Sequence, residues 1–376
     1  MPDEPIFPSE PIISDQRDEH PRGLDFLVAP FVGAAMFGNT PAPMPPATPG
    51  TGGDVHIPLE ERDGGESIVW FTRDLSAEGL AKAFAKVSDR LEYRIAVKLH
   101  TGEPDGPNII PRDWVRKLMA DLPNSTIVET NTYYKGARYT TEDHRKTIAK
   151  NGWNFAEVDI MDEWATTTLP VEGGKWFREM TVGANMLSYD SLLALTHFKG
   201  HMMGGFGGSN KNIGIGCADG RIGKKAIHTV VGSDNMWSIA EEELMERITE
   251  STKATIDFFG EHVAYINVMR NMSVDCDCAG VGAAPVVTPN IGILASIDIC
   301  AIDSACVDLV YAMTEAGLAH NHDLVERMES RHGLRQLSYM HELGMGNWRY
   351  TLLDLDNDEA EVSLTDAVSH VVPFAG

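Results

Sequence analysis

Cysteine is scarce in this 376-residue chain: there are five, an odd number, and no disulfide framework is expected from them. Cys276 and Cys278 stand two apart, too close for an easy bridge to each other. The expectation is a reducing compartment, with thiols kept for packing or for a metal. Bases are few as well, 31 Lys and Arg against 55 Asp and Glu, a formal charge of −24. That balance repels phosphate backbones and anionic membrane surfaces, so neither nucleic acid nor membrane is an expected partner. No apolar run reaches the roughly 18 residues of a spanning helix. The apolar stretch 26–38 follows a long acidic leader and is interrupted by Pro30, unlike an export signal, and is expected to pack on the globular body. A soluble, cytoplasmic protein is the expectation.

What is present is enough to fold: hydrophobic residues make up 43% of the chain. Residues 1–65 hold eleven acids, three bases and twelve of the 20 prolines, and residues 354–376 hold six acids and no base. The expected organisation is a Pro-rich acidic extension over 1–65 with a linker at 40–53, an α/β domain over 66–355, and an acidic tail over 356–376. Whether 66–355 is one body or two lobes divided near 165–190 is open.

Within the domain, strand and helix patterns alternate. Strands are expected at 68–72, 95–100, 126–131, 157–162, 192–198, 264–269 and 291–298. Helices are expected at 75–91, capped by Ser76, and at 111–122, 141–151, 238–259 and 300–313. Repeated β–α alternation predicts a mainly parallel sheet with helices on both faces.

Reactive side chains stand where these strands stop. IAVKLH ends in Lys98 and His100, TIVETN in Glu129 and Asn131, EVDIMD in Asp159 and Asp162, and LLALTHFKGH in His197, Lys199 and His201. Ligands of open α/β sheets bind beyond the carboxyl ends of strands, so these ends predict one shared crevice. Strand ends also turn polar simply because they meet water. The loop 197–228 adds nine glycines, among them Gly204, Gly205, Gly207 and Gly208, together with Lys211, Arg221, Lys224 and Lys225. Glycine lets backbone N–H groups approach an anion, and lysines supply charge, so this glycine-rich active-site loop is expected to seat a phosphate or carboxylate. It matches neither the dinucleotide fingerprint nor the phosphate-binding loop of nucleotide hydrolases.

Directly after AYINVM comes DCDC, residues 275–278. In an extended chain residues two apart face the same side, so Cys276 and Cys278 can converge on one metal, and soft thiolates favour zinc or an iron–sulfur cluster. Cys217 and one of His201 or His228 are the candidates to complete the site. His197 and His201, if fully extended, are about 13 Å apart and chelate together only if the chain folds back. Cys300 and Cys306 lie on opposite sides of a helix and read as core.

The ordered blocks FTRDLSAEGLAKAF, AVKLHTGEP, TIVETNTYYKGAR, VDIMDE, THFKGHMMGGFGGSNKNIGIG, DCDCAG and IGILASIDICAIDSACVDLV resemble the family called domain of unknown function 362, over about 67–355. Its members are often described as uncharacterised iron–sulfur centre proteins, and many insert a ferredoxin-like segment with C-x-x-C-x-x-C clusters after the glycine-rich loop. The corresponding stretch here, VVGSDNMWSIAEEELMERITEST, has no cysteine, so the resemblance implies a member without that segment. Cys300 stands where relatives usually have proline, which supports a structural role. The loop alone is also similar to that of nickel-pincer lactate racemases, which implies a cofactor- or substrate-anchoring Lys211, with His100, His197 and His201 near a metal.

The expected function is a metal or iron–sulfur protein acting on a small anionic molecule held by Lys199 and Lys211. Lys98, Asn131 and the loop glycines help to bind it, and proton transfer falls to His100 or Glu129, with His197 alongside. The alternative is a redox or metal-delivery protein without turnover of its own, whose acidic surface docks a partner.

Overall fold

The computed structural model describes residues 54–318 and 320–373. The stretch 26–38 and the linker 40–53 lie outside the described residues. The first half of the domain runs β1 (Glu66–Thr72), α1 (Ala77–Phe84), β2 (Ile95–Lys98), α2 (Arg112–Ala120), β3 (Ser125–Glu129), α3 (Thr141–Lys150) and β4 (Val158–Ile160). A hairpin of β5 (Thr166–Pro170) and β6 (Glu179–Gly183) follows, then β7 (Ser191–His197), β8 (Lys199–His201) and β9 (Gly205–Gly207). Next come α4 (Ser209–Gly216), α5 (Gly223–His228), α6 (Glu241–Phe259), β10 (Val263–Met269), β11 (Gly292–Ser296) and α7 (Ile299–Glu315). The chain closes with α8 (His322–Ser330), α9 (Arg335–Glu342), β12 (Arg349–Asp354), β13 (Ala360–Glu361) and α10 (Leu364–Val368). Among the described residues, no helix is long and apolar enough to cross a membrane.

Nine strands form one sheet in the order β13-β12-β1-β11-β10-β7-β2-β3-β4. The run β10-β7-β2-β3-β4 is parallel throughout, β1 and β12 pair in parallel, and β11 and β13 run against their neighbours. Such strands are covered on both faces and need apolar residues at every position, not alternate ones. In β7 all seven residues are buried: Leu192 and Ala194 join the core under α4, α6 and α7, while Leu193 and Leu195 join the core under α1 and α2. The α/β class with a mainly parallel sheet agrees with the sequence pattern.

Helix starts follow local rules. The Ser76 hydroxyl accepts from Gly79 N at 3.2 Å, Thr140 from Asp143 N at 3.2 Å, and the Asp298 carboxylate from Ala301 N at 3.0 Å. The 197–228 segment is not the loop expected but a β8–β9 hairpin followed by α4 and α5. Glycine-rich sequence disfavours a helix locally. Tertiary packing overrides this: a methyl on Gly214 would lie 2.4 Å from Ile248 O, so α4 and α6 touch backbone to backbone there. The acidic residues after Leu355 fold onto the sheet: Asp356 binds Arg73 N at 2.7 Å and Lys82 Nζ at 2.7 Å, and Ala367 and Val368 enter the core.

Strand order locates the crevice. From β2 the chain proceeds outward through β3 to β4, then returns to lay β7 on the other side of β2 and continues to β10. The order reverses between β2 and β7, and in open sheets of this kind ligands bind beyond the carboxyl ends of the strands at such a point. Lys98, Glu129, His197 and the chain after Met269 therefore emerge side by side.

Candidate metal and anion site

At the ends of β2 and β3 the charged residues are committed to one another. Lys98, 2% exposed, donates to Glu129 Oε2 at 2.9 Å and to Leu99 O at 2.8 Å. Glu129 Oε1 accepts from Thr101 N and from Thr101 Oγ1, each at 2.9 Å, and lies 3.8 Å from Arg138 Nη1. Arg138 in turn donates to Glu103 Oε1 at 2.8 Å, which also accepts from Tyr134 OH at 2.6 Å. Burial acts to raise the Glu129 carboxyl, but Lys98 and the other cations reverse this and hold it well below the usual carboxylate range. Glu129 is therefore engaged as the counter-ion of Lys98 and Arg138.

His100 is kept neutral by burial and by Arg138, far below the usual imidazole range. Its Nδ1 accepts from Gly102 N at 2.8 Å, which places the ring proton on Nε2. The 3.5 Å approach of Arg138 Nη2 to Nε2 then sets donor against donor. His100 offers the crevice an N–H donor, not the base expected. Asn131 is also engaged: its N–H donates to Asp162 Oδ1 and its Nδ2 to Thr141 Oγ1, both at 2.9 Å.

The glycine-rich segment, expected as a loop that seats an external anion, holds an internal one at the start of α4. Ser209 N donates to Asp303 Oδ1 at 2.7 Å and Asn210 N to Oδ2 at 2.9 Å, and Asn267 Nδ2 adds a third donor at 2.8 Å. Asp303 is fully buried, and that burial pushes its carboxyl up to about 6 against the pull of these donors. Gly208 lets Asp303 approach, since a methyl there would lie 2.4 Å from Oδ1. Gly205, at φ +72°, packs its Cα position against Gly333. Gly204 and Gly207 instead adjoin the lysines: a methyl on Gly207 would lie 3.6 Å from Lys199 Cε and 3.7 Å from Lys211 Cδ.

The DCDC segment follows β10, the neighbour of β7, and its aspartates fasten it. Asp277 accepts from His197 Nδ1 at 2.9 Å and pairs with Lys199 Nζ at 3.2 Å. Burial would raise its carboxyl, but His197 and Lys199 hold it far below the usual range. His197 Nε2 donates to Arg270 O at 2.6 Å, so both nitrogens of this expected catalytic histidine are occupied. Asp275 accepts from Ala284 N at 3.0 Å and from Arg327 Nη1 at 3.1 Å.

Between these anchors the chain is not extended, as the spacing argument assumed. A tight turn begins at Asp277, and Cys276 Sγ accepts from Cys278 N at 3.2 Å. The turn brings the two Cα atoms to 5.2 Å and sets the two sulfurs against each other. His201 joins them: one ligand atom from each of His201, Cys276 and Cys278 lies within 4.8 Å of the others, a group that could hold a metal ion. Cys276 is buried and Cys278 partly exposed.

Two expected ligands stand outside this group. Cys217 ends α4 close to Lys98 and Lys224, and burial pushes its thiol up to about 12, which marks it as core. His228 donates Nδ1–H to Lys224 O at 2.8 Å, and burial lowers it to about 4. Cys300 and Cys306 are fully buried in α7, as expected.

Lys211 differs from the other crevice cations. It lies in the first turn of α4, partly buried, with no hydrogen bond or ion pair to any described residue. Burial, and next the charge of Lys199, lower its amine to about 7. Asp277, Asp303 and Arg138 went unnoticed as site residues in the sequence. For Asp277 the signal was its place between the two cysteines.

The family model described as domain of unknown function (DUF362) matches residues 95–308. No curated protein matches the chain. Among solved structures, the lactate racemase apoprotein from Thermoanaerobacterium thermosaccharolyticum is similar at 11% identity and a TM-score of 0.38, over 80% of this chain and 85% of that one. A structural-genomics protein from Thermotoga maritima is similar at 12% identity and a TM-score of 0.32, over 51% of this chain and 50% of that one. At these scores neither likeness speaks to a reaction.

Proposed function

The chain belongs to the DUF362 family, whose name assigns no reaction, and from the site itself we propose a metal-dependent enzyme acting on a small anionic substrate. The observation that carries this reading is the convergence of His201, Cys276 and Cys278 beside Lys199 and Lys211. In the reduced state two thiolates and one imidazole suit a soft or borderline ion, and three protein donors leave a coordination position open. A four-cysteine cluster fits less well, because the described residues bring only two thiols together. Such an ion would polarise a substrate oxygen or bound water. Lys199 holds the substrate anion beside Lys211, and His100 Nε2–H donates to it.

The imidazole sets a condition on loading. His201 Nδ1 accepts from Met203 N at 3.1 Å and Gly204 N at 2.8 Å, so Nε2 carries the proton in the neutral ring. Coordination through Nε2 requires Nδ1 to take up a proton and those N–H groups to turn away. Metal uptake should therefore shift the amide resonances of Met203 and Gly204.

The adjacency of the Cys276 and Cys278 sulfurs favours a second reading, a thiol–disulfide redox protein that serves a partner without turnover of its own. One experiment separates the two. Protein purified without oxygen and with a reductant is analysed for metals before and after reconstitution, alongside Cys276→Ser/Cys278→Ser. Stoichiometric metal that disappears in the double variant is expected. Wild-type protein that stays metal-free after reconstitution, with both thiols free, sinks the metal reading.

A further inference from the structure

We infer that Lys211 is an amine nucleophile that condenses with the carbonyl of a small 2-oxo acid to form an imine. Every other lysine of the crevice has an oxygen to bind. Lys98 is held by Glu129, Lys199 by Asp277, and Lys224 by Thr130 Oγ1 at 2.6 Å and Asn131 O at 2.5 Å. Lys211 has no such partner among the described residues, although it sits between Gly204 and Gly207 with Lys199 alongside. The nearby histidine gives it nothing to bind, since His201 Nδ1 is occupied by two backbone N–H groups. The helix N-terminus beneath it brings positive potential of its own, which Asp303 answers from the buried side. An amine crowded by positive charge, partly out of water and bound to no anion, is pushed toward its neutral, nucleophilic form.

The same surroundings choose the substrate class. Lys199 lies alongside Lys211 at Gly207, and its charge attracts a carboxylate. A carbonyl next to that carboxylate then meets the amine. The neutral Nζ attacks the carbonyl carbon, a C–N bond replaces the C=O π bond, and the oxygen leaves as water with the two amine protons. No oxidant or reductant is needed. This chemistry shares the crevice of the proposed enzyme but not its metal, so either reading can fail alone.

The test is reductive trapping. Protein is incubated separately with glyoxylate, pyruvate and 2-oxoglutarate, treated with borohydride, and mapped by peptide mass spectrometry. The same is done for chelator-treated protein, Cys276→Ser/Cys278→Ser, Lys211→Arg and Lys211→Ala. A reduced adduct of at least one acid on Lys211 is expected, retained in the metal-free samples and lost in both Lys211 variants. Lys224, buried but fully hydrogen-bonded, should stay unmodified and serves as the internal control. No adduct with any of the three acids overturns the proposal, as does labelling of exposed Lys146 and Lys150 at least as heavy as that of Lys211. The wild-type peptide map decides this even if a variant fails to fold.

Discussion

At the ends of β2 and β3, Lys98, Glu129, Arg138 and Glu103 use up one another's hydrogen bonds. One hairpin away, Lys211 and the dithiol pair have chemistry to spare. Both regions lie at the same edge of the sheet and draw on the same residue types. The difference is where their partners come from. In the first region the counter-charges belong to the chain itself. In the second, Asp277 pairs with His197 and Lys199 and not with Lys211. Charge type at a strand end therefore says little about function, and unfilled valence says more.

The sharpest way to break this comparison is to remove a committed partner. Glu129→Ala leaves Lys98 buried without its counter-charge and Arg138 with Glu103 alone, a loss of about 3–5 kcal/mol by urea denaturation. A cost near that of a surface substitution would show that the network is not what holds the edge together. Gly216→Ala comes next, because its methyl would lie 2.0 Å from Lys98 Cε and push the amine off Glu129. It should cost about 1–3 kcal/mol, and less in a Lys98→Met background where the clash can relax.

The pH dependence sharpens the comparison from the other side. Glu129 and Asp277 are held below their ordinary values of 4.5 and 3.8, so their stabilisation is present above those values and is lost as pH falls. Lys211 also titrates lower in the fold, about 7 against 10.5, so the unfolded chain binds more protons between these values. Stability should therefore rise with pH across that window, and Lys211→Met should flatten the rise. An unchanged slope would mean that the amine is paired after all. At pH 7 the same substitution should raise stability, because it removes a partly buried amine whose protonation is less favourable in the fold than in the unfolded chain.

Much of the scaffold was legible in the chain. β1, β2, β3, β7, β10 and β11 fall where apolar, β-rich runs end in polar residues, and Ser76 starts its helix as a local cap must. The gathering of Lys98, Glu129 and His197 at one edge was also foreseeable, because parallel strands align their carboxyl ends. The roles of these residues were not. Glu129 read as a base because nothing nearby in sequence reveals Lys98, 31 positions away, as its partner. The glycine-rich run read as an anion loop because Asp303, which occupies that helix start, lies 94 residues on from Ser209. DCDC read as an extended pair because the turn at Asp277 depends on bonds to His197 and Lys199.

By itself the sequence determined the alternation of strand and helix, the parallel character of the sheet, and which reactive side chains reach its edge. These follow from side-chain periodicity and local capping, which act over a few residues. Only the tertiary structure decided which carboxylate neutralises which cation, which imidazole nitrogen holds the proton, and which amine is left over. Those outcomes depend on distance and burial between residues far apart in the chain, where a few ångströms or the loss of water reverses the sign of a charge's contribution.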